Sequence, residues 1–213
     1  MPNGKSISWE RALDQLRKGN ERFTSGLRST ESLSGHLRLK ELATTGQSPF
    51  AIVLSCSDSR VPSELLFDCG FGDLFVVRVA GNVVQPNQIA SIEFAAKVLG
   101  AELCVVMGHS KCGAVHAAIQ SEMKKQPSIS PNIDALIQLI RPSVHRCLSK
   151  VKEESPEEIL DLSIRENVHS TVKEILEKSP LLREFTRDGK FAVVEAHFSL
   201  ETGQVEFGAT SAT

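Results

Sequence analysis

The chain has 213 residues, 41% of them hydrophobic and 23% charged, with a net charge of −2. That size suits one α/β domain with a sizeable core, and the near-neutral balance, with no continuous basic run, speaks against nucleic acid or an anionic membrane as the main partner. No stretch reaches the length of a membrane span, and residues 1–9 lack the apolar core of a signal peptide, so the expected location is the cytoplasm.

The N-terminal stretch reads as a helix. Ser8 can cap it, Glu10 falls in its first turn, and Trp9, Ala12, Leu13, Leu16 and Phe23 recur at helical spacing. Its apolar stripe must pack on its own domain or on a neighbouring subunit. Residues 26–46 are polar and less regular, as expected of a loop with a short helix. Residues 50–55 form a short apolar strand and 74–79 a second; Gly70-Phe71-Gly72 lacks the rest of a dinucleotide fingerprint and reads as a turn. A helix follows over 88–99, with Ile89, Ile92, Ala95, Ala96 and Leu99 on one side, then a third strand over 103–107 and a helix over 113–123. Residues 127–131 are a connection, and 132–150 a further helix. Ser155 caps the next helix, Pro156 fits its first position and Glu158 can close a capping box. Ile164, Val168, Val172, Ile175 and Leu176 supply its apolar stripe. Residues 191–198 and 205–207 are two strands joined by a turn at Thr202-Gly203. Apolar, unalternating strands separated by helices predict an α/β fold: a mostly parallel central sheet of four to five strands flanked by helices, with an N-terminal helical arm. Residues 1–213 are read as a single domain, with 1–45 as the arm.

Two motifs carry chemistry. Cys56-Ser57-Asp58-Ser59-Arg60 follows the first strand, and His109-Ser110-Lys111-Cys112 follows the third. Both stand at carboxyl ends of strands, where open α/β sheets place their ligands, and they meet if the two strands are neighbours. Five cysteines, an odd number without an export signal, favour metal binding or catalysis over disulfides. Two thiolates and an imidazole suit zinc, and three protein ligands leave a fourth position for water, as in catalytic sites. Bound zinc lowers the pKa of that water from about 15.7 to about 7, so hydroxide can attack a small electrophilic carbon near neutral pH. In an extended chain Cys56, Asp58 and Arg60 share one side. An Asp58 held by Arg60 can orient the zinc-bound water, or Asp58 can bind zinc itself and close the site. His116, four residues after Cys112, could be a ligand or proton relay, though a surface or packed histidine is the plainer reading. His36, His145, His169 and His197 have no partner motif. Cys69, Cys104 and Cys147 read as passive, Cys104 as a small core residue. A redox pairing of Cys56 with Cys112 lacks the C-x-x-C pattern.

These residues resemble the β-class carbonic anhydrases. The resemblance runs through Gly46-Gln47-Ser48-Pro49, the Cys56-to-Val61 motif, Phe75-Val76-Val77-Arg78, Ala80-Gly81-Asn82 and Gly108-His109-Ser110-Lys111-Cys112-Gly113. Gly19-Asn20-Glu21-Arg22-Phe23 is similar to the family's N-terminal helix, and residues 202–207 to its last hairpin, so nearly the whole chain is covered. The resemblance implies one Zn2+ per chain on Cys56, His109 and Cys112, with Asp58 and Arg60 as the catalytic dyad. It also implies substrate-side roles for Gln47, Phe75 and the Gly113 backbone, with Phe94 or Val61 lining the pocket. The implied reaction is reversible hydration of carbon dioxide to bicarbonate and a proton. The implied assembly is a homodimer or higher even oligomer, with the arm on the partner subunit and the active site at the interface. No nucleic acid and no membrane partner is implied. Two rivals remain open: a carbonyl sulfide or carbon disulfide hydrolase on the same scaffold, and a non-catalytic zinc- or bicarbonate-binding protein. Three positions differ from family patterns. Phe94 stands where many plant-type members have a Tyr, and Val79 where an Asn is usual. Val53 stands where bicarbonate-inhibited members have a Trp, so Asp58 is expected to pair with Arg60 and leave the zinc position open.

Overall fold

The computed structural model describes residues 7–27, 35–124 and 130–211; residues 127–129 of the expected 127–131 connection lie outside them. Five strands form one sheet: β1 (Ala51–Ser55), β2 (Leu74–Arg78), β3 (Leu103–His109), β4 (Ala192–Phe198) and β5 (Val205–Thr210). Their spatial order is β2-β1-β3-β4-β5. The first four run parallel, and β5 returns antiparallel to β4. The expected mostly parallel sheet is therefore present. Every residue of β1 and β3 is buried, which accounts for their unbroken apolar sequences: both faces of the sheet's centre are covered.

Side chains alternate between two cores. On one face Ile52, Leu54, Val106 and Val193 meet α4 (Pro86–Lys97), α7 (Pro156–Lys178) and α8 (Pro180–Arg187) through Ile92, Val168, Ile175 and Leu182. On the other, Val53, Val105, Met107 and Val194 meet α1 (Trp9–Ser25) through Ala12 and Leu16, and the short α3 (Ser63–Leu66) through Leu66. A third cluster, at the carboxyl end of the sheet, joins Cys56 and Cys112 to α5 (Gly113–Lys124), α6 (Pro131–Leu148) and α7 through Val115, Ile140 and Ile164.

The capping box is formed: Glu158 N–H donates to Ser155 Oγ at 3.3 Å, and Ser155 N–H to Glu158 Oε2 at 2.7 Å. Other boundaries move. α4 starts at Pro86, with Gln88 Oε1 accepting from Gln85 N–H at 3.1 Å. α6 starts at Pro131, behind a Ser130 cap on Ile133 N–H. The third strand runs to His109, because β4 continues to pair with it as far as Phe198. Ser8 occupies the N-cap position of α1 without a capping hydrogen bond. Neither α3 nor α8 was anticipated, although Ser179-Pro180 repeats the cap-and-proline signature and Ser179 Oγ does accept from Leu182 N–H.

α1 settles where its stripe goes: onto this chain's own sheet. Buried Asn20 donates to Leu66 O at 3.1 Å and Gly203 O at 2.9 Å, and accepts from Val205 N–H at 2.8 Å. Gly19 lies against Phe67 so closely that a Cβ there would stand 1.9 Å from its carbonyl oxygen. Within the described part of the arm, α2 (Gly35–Thr45) buries no residue. Gly19→Ala is therefore expected to lower stability by about 1–3 kcal/mol, as overpacking does, outweighing the ~1 kcal/mol that alanine adds in a helix. An unchanged urea midpoint would show that α1 is not docked in this way.

Candidate metal centre

The sheet order does the first work. β1 and β3 are neighbours in a register that pairs Ser55 with Met107, so Cys56, one residue past β1, arrives beside the end of β3. The Sγ atoms of Cys56 and Cys112 and the ring nitrogen of His109 lie within 4.8 Å of one another, and all three residues are buried. Among the described residues no fourth Cys, His, Asp or Glu joins this group.

Each ligand is aimed by local structure. His109 Nδ1 is 3.0 Å from the Ser110 carbonyl. That oxygen can only accept, so Nδ1 carries the proton and Nε2 keeps its lone pair. Nε2 is buried and has no hydrogen-bond partner. Lys111 adopts a left-handed conformation (φ 57°), turning the chain between His109 and Cys112. Cys112 then directly precedes α5, whose N-terminal amides favour a thiolate. Cys56 accepts from Gly81 N–H at 3.4 Å. Hydrogen bonding from Cys112 pulls the Cys56 thiol well below its ordinary range, and the same bond with burial pushes Cys112 up. An orphaned imidazole nitrogen facing two such sulfurs fits a tetrahedral zinc-type donor set.

Asp58 and Arg60 stand beside this cluster. Arg60 Nε donates to Asp58 Oδ1 at 2.9 Å and Nη2 to Oδ2 at 2.7 Å, a bidentate pair. The chain does not stay extended here: Arg60 N–H also folds back onto Asp58 Oδ1, and Val61 N–H bonds Asp58 O, as a short polar side chain at a turn allows. These Arg60 bonds hold the Asp58 carboxyl well below the usual carboxylate range. Asp58 Oδ2 is 4.0 Å from His109 Nε2.

Sequence reasoning missed Arg78. Its Nε donates to Cys56 O at 3.2 Å and its Nη2 to Asp58 O at 2.7 Å, clamping the loop that carries both residues. The available signal was a cation at the carboxyl end of a strand next to β1, where it pairs with Ser55. The β4–β5 loop braces the other motif: Leu200 N–H donates to Ser110 Oγ, and Lys111 pairs with Glu201 at 2.8 Å.

The remaining candidates are not part of the ligand group. Gln47 is exposed ahead of β1. Phe75, on edge strand β2, packs with the Ile52–Leu54 core, and its ring lies 6.4 Å from that of half-exposed Phe94. Gly113 opens α5 with free space where a side chain would stand. Val61 is fully buried on the α1 side and so offers no pocket surface. His116 is exposed beside Gln120 and does not join the metal-ligand group. Burial pushes the Cys69 and Cys104 thiols up to about 12, so both are inert.

Comparison with known proteins agrees with this geometry. The family model for carbonic anhydrase matches residues 51–205. Carbonic anhydrase 2 of Mycobacterium tuberculosis is 35% identical over 208 residues, spanning 96% of this chain and 93% of that protein. The carbonic anhydrase of Mycolicibacterium smegmatis is 34% identical over 212 residues, spanning 97% and 95%. Among solved structures, the β-carbonic anhydrase CcaA superposes with a TM-score of 0.73 at 25% identity, covering 93% of this chain and 92% of that one. A tetrameric β-carbonic anhydrase from the filamentous ascomycete Sordaria macrospora shares the fold at a TM-score of 0.73 and 23% identity, covering 94% and 98%.

Proposed function

This chain belongs to the β-class carbonic anhydrase family, and on that premise we propose that it reversibly hydrates carbon dioxide to bicarbonate and a proton at a zinc ion held by Cys56, His109 and Cys112. The observation that carries the reading is the unpartnered, buried Nε2 of His109 facing two thiols, with no fourth protein ligand among the described residues. Zinc bound there supplies a water of pKa about 7, and hence a nucleophile at neutral pH. The chain's own residues do the rest. Asp58, ionised and fixed by Arg60, stands next to the ligand cluster and can accept a hydrogen bond from the attacking water, turning a lone pair toward the substrate carbon. The bidentate Arg60 pair holds Asp58 apart from the three-residue ligand group, which would leave a fourth coordination position for water. Carbon dioxide offers few handles, so positioning the nucleophile is the main task.

Gln47, Phe75, Phe94 and the Gly113 backbone are proposed to form the substrate side of the pocket. Assembly as a dimer or larger even oligomer completes it. Support comes from the free edge of β2 and from exposed Phe71, Phe94 and Val98, apolar surface of the kind a partner subunit covers. Within the arm, α2 rests Leu42 against Gly72 but leaves Leu37 and Leu39 exposed, apolar surface available to a partner. The proposed location is the cytoplasm, consistent with five free cysteines.

One wild-type preparation tests these proposals together. Metal analysis is expected to find about one zinc per chain, stopped-flow assay to find carbon dioxide hydration, and sedimentation to find an even oligomer. Stoichiometric zinc without hydration would sink the catalytic reading, and an active monomer would sink the shared pocket.

A further inference from the structure

We infer that Asn167, a buried residue of α7 far from the two motifs in sequence, is a positioning residue for the metal site, acting on Cys56 through the Ala80–Asn82 turn. The inference rests on the zinc reading above and extends it to a residue outside both motifs.

Asn167 occupies the apolar face of α7, on the same side as Ile164 and Val168, and is only 2% exposed. An amide in such a place is costly unless it is bonded. Its Nδ2 donates to the Gly81 carbonyl at 2.8 Å, across 86 positions of sequence. Gly81 in turn donates its N–H to Cys56 Sγ at 3.4 Å. The carbonyl and the N–H lie on the two peptide planes flanking one α-carbon. Gly81 sits at φ 73°, ψ 15°, a break inside the 3₁₀ turn Ala80–Asn82.

A glycine is required there for two reasons. The positive φ disfavours any side chain, and a Cβ would stand 2.6 Å from Ile140 Cδ1 and 3.3 Å from Ala114 Cβ. Yet glycine is also the residue whose peptide planes rotate most freely. Wedging by Ile140 and Ala114 limits one side of the turn. The Asn167 bond fixes the following peptide plane and so, with the wedge at the α-carbon, limits how far the turn and its sulfur-facing Gly81 N–H can shift. α7 is itself seated on β3, where Gly108 leaves room for Val168 and Ile164. The path from α7 to Cys56 is thus two hydrogen bonds on a rigid base. An N–H bond to a ligand thiolate withdraws charge from the sulfur and sets its orientation. Partners of this kind typically change metal affinity by about 10–100-fold when removed.

The test uses the full-length chain with zinc, and with cobalt(II) as a spectroscopic substitute. Asn167→Leu keeps the branched skeleton and removes the donor; Asn167→Asp keeps the shape and replaces the donor with an acceptor. Both variants are expected to bind zinc about 10-fold or more weakly in a chelator competition and to shift the cobalt–thiolate charge-transfer band. A purely structural role would lower the thermal midpoint of the metal-free protein and leave the band in place. Folded variants with wild-type zinc affinity and an unmoved band overturn the inference while leaving the zinc reading intact. A wild-type chain that binds no zinc overturns the reading, and the inference with it. The wild-type chain offers a measurement independent of the variants' folding. Loaded with an NMR-active cadmium isotope, it is expected to show coupling between the Gly81 amide proton and the metal; absence of that coupling also overturns the inference.

Discussion

His109→Ala is expected to abolish zinc binding and carbon dioxide hydration together. His109 is completely buried, its Nδ1 proton is committed to the Ser110 carbonyl, and its Nε2 faces the two sulfurs. No other histidine or carboxylate among the described residues belongs to the ligand group, so nothing replaces the lost nitrogen. Removing a partner that merely orients a ligand costs about 10–100-fold in affinity, and removing the ligand itself costs more. Two sulfurs alone leave the metal with half a tetrahedral set. Cys56→Ala is expected to act in the same direction, and it also strips the Gly81 N–H of its acceptor. Metal content after dialysis and stopped-flow hydration on the same sample check both variants. Stoichiometric zinc retained by His109→Ala would refute the ligand assignment.

Asp58→Asn is expected to separate the two properties, keeping zinc while activity falls by about 100-fold or more, the scale of a lost positioned proton acceptor. Asparagine keeps the shape but presents an NH2 group where Oδ2 accepts from Arg60 at 2.7 Å, or where the attacking water would donate. Either arrangement spoils the acceptor. The pH dependence has a definite sign. Hydrogen bonds from Arg60 depress the folded-state pKa of Asp58. A depressed carboxyl contributes its stability above its unfolded pKa, ~3.9, and loses it only as pH falls through the lower folded value. The dyad is therefore fully charged across the neutral range, and loss of activity toward pH ~6 is expected from the metal-bound water rather than from Asp58. Arg60 is half exposed, so solvent screens the pair and its deletion is expected to move the unfolding midpoint little. Normal hydration by zinc-loaded Asp58→Asn would remove the dyad from the mechanism.

Much of the scaffold was legible in the chain because its signals are local. Ser155-Pro156 with Glu158 announces a helix start that the structure forms, and the unalternating strands announce a parallel sheet covered on both faces. Boundaries slipped where a distant strand decides them: β3 reaches His109 only because β4 pairs with it that far. The extended reading of residues 56–60 failed because Asp58 draws the Arg60 amide back onto itself, a hydrogen bond that strand alternation ignores.

The sequence by itself determined the donor set, two cysteines and a histidine at the ends of two apolar strands, together with the Asp58–Arg60 pair beside them. These are properties of residue type and short spacing. Only the tertiary structure decided that β1 and β3 are neighbours, that α1 lies on its own sheet, and that Arg78, Gly81 and Asn167 converge on the Cys56 loop. The reason is range. Periodicity and caps report what a segment does within a few residues, whereas strand order and the partners of buried polar groups depend on contacts between segments tens of residues apart.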